Sequence, residues 1–489
     1  MLTYSFLDIG SDSLYEHLYE CIRKDVMNGI LAPGSQLPSK RSFAKHLGIS
    51  VITIENAYEQ LMAEGYIYSI PKKGYYVENP PESGWWGYVP VKKNEEPYTE
   101  FVASHHSPYS QEREHLLSAA TPSKEKYFAD FLSNHTRPEN FPFSNWAKLM
   151  REVLTVENDA LLTPPPSGGI LPLRCAIAKH LLDFRGMHVQ PEQIIIGAGT
   201  EYLYELLIQL LGRNKIVGLE NPGYKKIGQI YGSNDVRCCY ISINEDGPDM
   251  KELAKSQVDI MHLSPSHHYP TGIVTPISRR YELLGWAASK EGRYIIEDDY
   301  DCEFRLLGKP IPALQSIDVT EKVIYMNTFT KSLASTIRIS YMVLPKHLLQ
   351  DFYEKLGFYA CTVSNFEQYT LARFISEGYF EKHINRMRGH YRELRDQLIN
   401  AIKKNPLSSA IIYEENAGLH FLLKVKTKYS DAELVRRAQT AGILITCLSQ
   451  YYHDTVNSDS HENTLVINYS GINPENVEEA IKRLEESLK

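Results

Sequence analysis

The chain has 489 residues, a net charge of −8 and a hydrophobic fraction of 43%. That length exceeds one ordinary domain and suits two or three, and the acidic balance excludes a protein coated in basic residues while leaving room for a local nucleic-acid patch. The seven cysteines show no paired metal spacing, no apolar run reaches the length of a membrane span, and Met1-Leu2-Thr3-Tyr4-Ser5 lacks the basic start and apolar core of a signal peptide; a soluble cytoplasmic protein with reduced thiols is expected.

The first predicted helix covers residues 13–30, where Leu14, Leu18, Ile22 and Val26 recur at helical spacing before Gly29. Pro33-Gly34 makes a turn. Ser39 caps a short second helix that Gly48 stops. Ser50 caps a third, whose Ile54, Ala57, Tyr58, Leu61 and Met62 form one face. Residues 66–70 and 75–77 read as strands around the basic turn Pro71-Lys72-Lys73-Gly74. Three short helices and a hairpin make a winged helix-turn-helix.

The pattern Leu37-Pro38-Ser39, Arg41, Leu47-Gly48-Ile49-Ser50, Thr53, Ala57-Tyr58, Leu61, Glu64-Gly65-Tyr66 closely resembles the GntR signature. In that geometry the helix from Ser50 enters the major groove and the wing touches the DNA backbone. Lys40, Arg41 and Lys45 flank the turn and Lys72 and Lys73 tip the wing, all placed to neutralise phosphates. One position departs from the pattern. GntR relatives usually carry arginine just after the residue matching Ser50, and here that residue is Val51. Glu55 also sits early in the helix. Ser50, Thr53 and Asn56 remain for polar contacts, and Val51 or Ile52 for a thymine methyl. The competing reading is a winged helix used for protein contacts.

Residues 79–124 are expected to form a linker. Asn79-Pro80-Pro81-Glu82-Ser83-Gly84 breaks regular structure, and polar residues and prolines dominate from there to about Ser123. Trp85, Trp86 and Tyr88 are unusual for a pure tether.

A second domain opens near Phe128. Residues 193–200 form a strand running into a glycine-rich turn, Gly197-Ala198-Gly199-Thr200, and a helix through Leu203, Leu206, Leu207 and Leu210 comes next. Backbone amides at such a helix start favour a phosphate, although a plain strand–helix turn shows the same pattern. Glu220-Asn221-Pro222-Gly223-Tyr224 comes after another strand. In the loop from Ser264 to Gly272, His267 and His268 suggest a metal at first sight, but neighbours in an extended chain point to opposite sides.

Residues 293–301 form an apolar strand ending in Glu297-Asp298-Asp299-Tyr300-Asp301. Carboxylates at the end of a buried strand are costly without a partner or a role. A pyridoxal phosphate (PLP) site needs an aspartate to hold the ring nitrogen protonated, and Tyr300 is placed to bond the ring's phenolic oxygen. Divalent-metal binding by Asp298, Asp299 and Asp301 is the alternative, weakened by the lack of a histidine within the cluster. One strand further on, residues 323–327 run apolar into Thr328-Phe329-Thr330-Lys331-Ser332. A lysine there, with its pKa lowered by apolar walls, suits imine chemistry. Thr328, Thr330 and Ser332 offer hydroxyls to a phosphate and Arg338 a bidentate clamp. Strands alternating with helices, with functional residues at strand ends, describe an α/β sheet with its ligand at the carboxyl edge. Residues 347–404 read as mostly helical, and 416–421, 442–445 and 465–469 as strands of a smaller domain.

These stretches resemble the fold-type I PLP enzymes of the aspartate aminotransferase group. More closely they resemble the MocR-type transcription regulators, including the GABA-responsive one, in which such a domain comes after a GntR-type winged helix. The resemblance covers roughly residues 10–78 and 125–489. It implies a multidomain α/β protein: a winged helix over 10–78, the linker, and an aminotransferase-like domain over 125–489, large to about 345 and continued by a smaller α+β part. It also implies PLP held as an internal aldimine on Lys331, with Asp298 on the pyridinium, Tyr300 on the phenolic oxygen and Tyr224 on the ring face. Gly199, Thr200, Thr328 and Arg338 would take the phosphate. His268 stands where relatives commonly carry glutamine. A head-to-tail homodimer on paired DNA half-sites is implied by the same resemblance.

The function so implied is a PLP-dependent, DNA-binding transcription regulator that senses PLP or an amine or amino-acid-like effector, with no metal. The rival is an active aminotransferase with an appended winged helix. Aminotransferases and the GABA-responsive regulator share a carboxylate-binding arginine near the last strand, and Asn468-Tyr469-Ser470-Gly471-Ile472 carries none. Where the GABA-responsive regulator has another arginine, just after the stacking tyrosine, this chain has Lys226. A scaffold that merely stores PLP would leave the winged helix unexplained.

Overall fold

The computed structural model describes residues 2–4, 6, 13–78, 127–132, 136–156, 158–306, 312–404, 406–415, 418–453 and 462–489. The expected linker, with Trp85 and Trp86, lies outside them. The chain divides into two compact units, Met1–Ser123 and Lys124–Lys489.

In the first unit, helix α1 (Leu14–Met27) and helix α2 (Lys40–Leu47) pack on helix α3 (Val51–Ala63), and strands β1 (Ile67–Ile70) and β2 (Gly74–Val77) complete it. Local chemistry fixes the helix starts. The Ser39 hydroxyl accepts from the Ser42 amide, and the Ser50 hydroxyl accepts from the Thr53 amide at 3.0 Å. Gly48 ends α2 at φ +71°, a left-handed cap that side chains rarely adopt. Helix α1 ends at Met27, short of the expected residue 30, because Asn28 caps it and the chain turns at Gly29; its apolar positions from Leu14 to Val26 all lie within it. Leu18, Ile22, Phe43, Ile54, Ala57, Tyr58 and Leu61 make the core, and the Tyr58 hydroxyl donates to the Pro38 carbonyl at 2.9 Å. Strands β1 and β2 pair antiparallel, Ile67 opposite Val77 and Ile70 opposite Gly74. Lys72 at the tip has φ +62°.

The second unit is built on an eight-stranded mixed sheet. Its strands in chain order are β3 (Ile194–Gly197), β4 (Ile216–Asn221), β5 (Arg237–Asn244), β6 (Gly247–Pro248), β7 (Ile260–Leu263), β8 (Tyr294–Asp298), β9 (Val323–Thr328) and β10 (Ser340–Val343). Their spatial order is β3, β10, β9, β8, β7, β4, β5, β6. β9, β8, β7, β4 and β5 run parallel. β10 is antiparallel to both β9 and β3, so β3 points the same way as the parallel set. The carboxyl ends of six strands therefore open on one edge.

Every residue of β3, β7, β8 from Ile295 onward, β9 and β10 is buried, as expected where helices cover both faces of a sheet. The two-residue period still sorts the side chains. Ile195, Ile324, Met326 and Met342 pack with Leu203, Leu207 and Leu210 of helix α4 (Thr200–Leu211). Ile194, Ile196, Tyr325 and Tyr341 join the opposite core with Leu173 and Ile177. Beyond β10, the long helix Tyr379–Lys404 leads to a four-stranded antiparallel sheet. In it Ile411–Tyr413, His420–Lys424, Thr464–Asn468 and Thr446–Cys447 lie in that order. Residues 416 and 417, expected to begin one of these strands, lie outside the described part.

Candidate functional site

The carboxyl edge of the large sheet holds a cavity of 680 Å³ lined by Thr200, Tyr224, Asp298, Tyr300, Thr328, Lys331 and Arg338. The size is within the usual range for small-ligand pockets. Strand ends deliver most of these residues. Thr200 comes just after β3, Tyr224 just after β4, Asp298 ends β8, and Thr328 ends β9.

Lys331, expected in a loop, stands instead in a one-turn helix, Phe329–Ser332. Thr328 caps that turn: its hydroxyl accepts from the Thr330 amide at 3.1 Å and lies 2.8 Å from the Ser340 hydroxyl. Burial lowers the pKa of Lys331 below that of a free lysine, with Asp301 opposing, which favours the neutral, nucleophilic amine.

Asp298 is buried, and its Oδ2 accepts a hydrogen bond from Tyr204 Oη at 2.7 Å. His262 Nε2 lies 3.8 Å from the same oxygen, and His262 Nδ1 lies 3.1 Å from Tyr231 Oη. Asp298 Oδ1, in contrast, is buried and has no hydrogen-bond partner among the described residues. A buried carboxylate oxygen left unpartnered is costly, and a protonated ring nitrogen entering the cavity would satisfy it.

At the far end, Gly199 caps α4 with φ +94°, and a Cβ there would collide with the Arg338 guanidinium. The positive φ favours glycine there, and the missing Cβ leaves the Arg338 guanidinium room beside the helix start. Arg338 Nη2 donates to Glu201 at 2.9 Å, and Lys226 pairs with the other Glu201 oxygen. Lys226 first, then Arg338, hold the Glu201 carboxyl below its usual pKa. A helix start, two hydroxyls and an arginine make a donor set suited to a phosphate. The residues present thus fit PLP at three points: amine, ring nitrogen and phosphate.

Tyr224 is 51% exposed at the cavity wall, its ring edge-on to Tyr269 at 6.0 Å between centroids. The Tyr300 hydroxyl lies 3.2 Å from His267 Nδ1. The acidic cluster does not converge on one point. Asp298 faces Tyr204, Asp299 takes the Arg185 guanidinium at 2.6 Å and the Tyr325 hydroxyl at 2.7 Å, and Asp301 lies 2.9 Å from His267. His268 Nδ1 lies 2.6 Å from the Thr271 hydroxyl. His268 Nε2 is also 3.6 Å from Glu220, but this is not an ion pair. Burial holds the imidazole neutral down to about pH 3 and pushes the Glu220 carboxyl up to about 8.

Sequence reasoning alone does not single out Tyr204, His262, Glu220 or Arg185. Tyr204 leaves one usable signal: it lies four residues after Thr200, on the same face of α4.

In the first unit, Arg41, Lys72 and Lys73 are exposed at the turn and wing. Lys40 differs, because it is held by Glu55 at 2.5 Å. Ser50 and Thr53 are joined by a 2.8 Å hydroxyl contact.

Residues 14–77 match the model of the bacterial regulatory proteins of the gntR family, and residues 130–484 match that of aminotransferase class I and II. An uncharacterized HTH-type transcriptional regulator of Bacillus subtilis, YdeL, is 36% identical, with 97% of each chain covered. The probable rhizopine catabolism regulatory protein MocR of Rhizobium meliloti is 30% identical, covering 98% of this chain and 94% of its own. The chain belongs to the MocR-like HTH-type transcription regulators. This regulator's second unit has the aminotransferase fold. Kynurenine aminotransferase of Pyrococcus horikoshii superposes with a TM-score of 0.66 at 23% identity, covering 80% of this chain and 96% of that one.

Proposed function

We propose that this regulator binds PLP in the 680 Å³ cavity and double-stranded DNA through its winged helix, and that occupancy of the cavity sets its affinity for DNA. The observation that carries the reading is the meeting of Lys331 with the unpartnered oxygen of Asp298 in one cavity, in a chain that opens with a winged helix. When bound, PLP supplies an electrophilic carbon that condenses with primary amines.

The chain's own residues do the rest. Lys331 presents an amine whose burial keeps a larger neutral fraction. Asp298 accepts a hydrogen bond from the protonated ring nitrogen, and Tyr204 fixes that carboxylate. Gly199, Thr200, Thr328 and Arg338 receive the phosphate, Tyr224 covers a ring face, and Tyr300 serves the phenolic oxygen. Arg41, Lys72 and Lys73 neutralise DNA phosphates, while Ser50 and Thr53 border the groove. Lys40 joins them only by leaving Glu55. The regulator acts in the cytoplasm as a homodimer on paired half-sites. Among the described residues, no helix is long and apolar enough to cross a membrane.

A sensing role is favoured over turnover by the state of the cavity's cations. Arg338 is taken up by the phosphate, Lys226 pairs with Glu201 and Lys225 offers only a point charge, so the described cavity lining keeps no arginine for an amino-acid carboxylate. The test is visible absorbance of protein incubated with PLP and then desalted. The wild type retains a PLP band and Lys331→Ala does not. A Lys331→Ala protein that retains a borohydride-reducible covalent adduct would show that another lysine carries the cofactor.

A further inference from the structure

The N-terminal part of α3 has its polar groups already engaged. Ser50 caps the helix and contacts Thr53 at 2.8 Å, and Glu55 is held by Lys40. What this part leaves in water is aliphatic: Val51 is 42% exposed and Ile52 67%. The core face of α3 does not need them, since Ile54, Ala57, Tyr58 and Leu61 close it completely. The next exposed residue on the Ile52 side is Asn56, one turn on. The whole helix, VITIENAYEQLMA, contains no lysine or arginine.

In helix-turn-helix docking the N-terminal residues of this helix meet the base edges. Guanine offers N7 and O6 acceptors, most often read by a cation that α3 lacks. Thymine offers a 5-methyl group that prefers an apolar partner, and adenine pairs with an asparagine amide. We infer that the winged helix selects A·T-rich half-sites by packing Ile52 and Val51 on thymine 5-methyl groups, with Asn56 bonded to an adenine further along the groove. One helical turn advances about 5.4 Å and successive base pairs about 3.4 Å, so the thymine and adenine lie one or two steps apart. The inference rests on the DNA-binding reading above.

The test uses the full chain and a pool of random-sequence duplexes. Enriched duplexes are sequenced, and each thymine of the half-site is then replaced singly by uracil, which lacks only the 5-methyl group. The expected result is an A·T-rich half-site in which one or two replacements weaken binding about fourfold each, the loss corresponding to one buried methyl. Ile52→Ala, a change at an exposed position, should bind the parent site more weakly and lose the effect of at least one of those replacements, the other staying with Val51. Arg41→Ala, a phosphate contact, should weaken binding yet keep the uracil effect. An enriched site indifferent to uracil, or an Ile52→Ala protein with the full uracil effect, would overturn the inference and leave the DNA-binding reading standing. Failure to enrich any sequence would overturn both.

Discussion

Tyr204 Oη donates to Asp298 Oδ2 at 2.7 Å. Tyr204 comes from the helix that starts at the phosphate end of the cavity, and Asp298 from the strand at its floor. One hydrogen bond therefore ties the orientation of the carboxylate to the element that would receive the phosphate. Burial and the neighbouring Asp298 push the Tyr204 phenol well above its ordinary pKa, so it stays a donor throughout the accessible pH range.

Tyr204→Phe removes the donor with almost no change in shape. Hydrogen bonds to charged groups are worth more than neutral ones, and a carboxylate free to rotate loses its preferred aim. We expect PLP affinity to fall about tenfold, read by titrating PLP into stripped protein and following absorbance. Unchanged affinity would remove Tyr204 from the account.

Glu220 gives a pH dependence. Its carboxyl is 10% exposed, and burial first, then Asp298, raise its pKa to about 8, against the one lowering contact from the Ser264 amide. A raised pKa means the folded state binds the extra proton, so this contribution is fully present below the ordinary carboxylate pKa. It is lost as pH rises through about 8. Glu220→Gln keeps an acceptor for Ser264 and cannot ionise. The melting temperature of the variant should match the wild type near pH 5 and exceed it above pH 8. Equal melting curves across that range would contradict a buried, protonated Glu220.

Much of the fold is legible in the sequence because its determinants are local. Ser39 and Ser50 cap the helices they are expected to cap, and Gly48 ends α2. Asp298 and Lys331 stand out because one closes an apolar strand, the other comes three residues after the end of the next, and each contradicts its surroundings. Pairing across distance leaves no such mark. Tyr204 and Asp298 are 94 residues apart, and Arg185 and Asp299 are 114 apart. Nothing in either member's neighbourhood announces the other. The Lys40–Glu55 pair is hidden for the same reason, with the result that one expected phosphate contact is already engaged. The one-turn helix at Phe329–Ser332 reads as a loop because four residues carry no period; the Thr328 side-chain cap starts it.

The cavity's charges set the handling of amino acids. A carboxylate entering a partly desolvated site needs a charged donor pair, best supplied by arginine. Arg338 is the residue assigned to the PLP phosphate and Lys226 pairs with Glu201, which leaves Lys225, a point charge, at the cavity wall. Strand Thr464–Asn468 and the adjoining Tyr469-Ser470-Gly471-Ile472 carry no arginine. Common α-amino acids should therefore shift the PLP spectrum only at high concentration and yield little keto acid, whereas amines without that carboxylate should shift it more readily. Rapid keto-acid formation from any common amino acid, measured in the same cuvette, would make the protein an aminotransferase with a DNA-binding appendage.

In the proposed regulator, occupancy of the cavity controls DNA binding by the winged helix. The most direct test of that control is the affinity of the full chain for a duplex enriched from a random pool, at fixed salt because phosphate contacts make affinity salt-dependent, with and without PLP, for wild type and Lys331→Ala. PLP should change the wild-type dissociation constant at least about fivefold, the lower end of ordinary coupling between two sites, and leave that of Lys331→Ala unmoved. Identical wild-type affinities with and without PLP would contradict it.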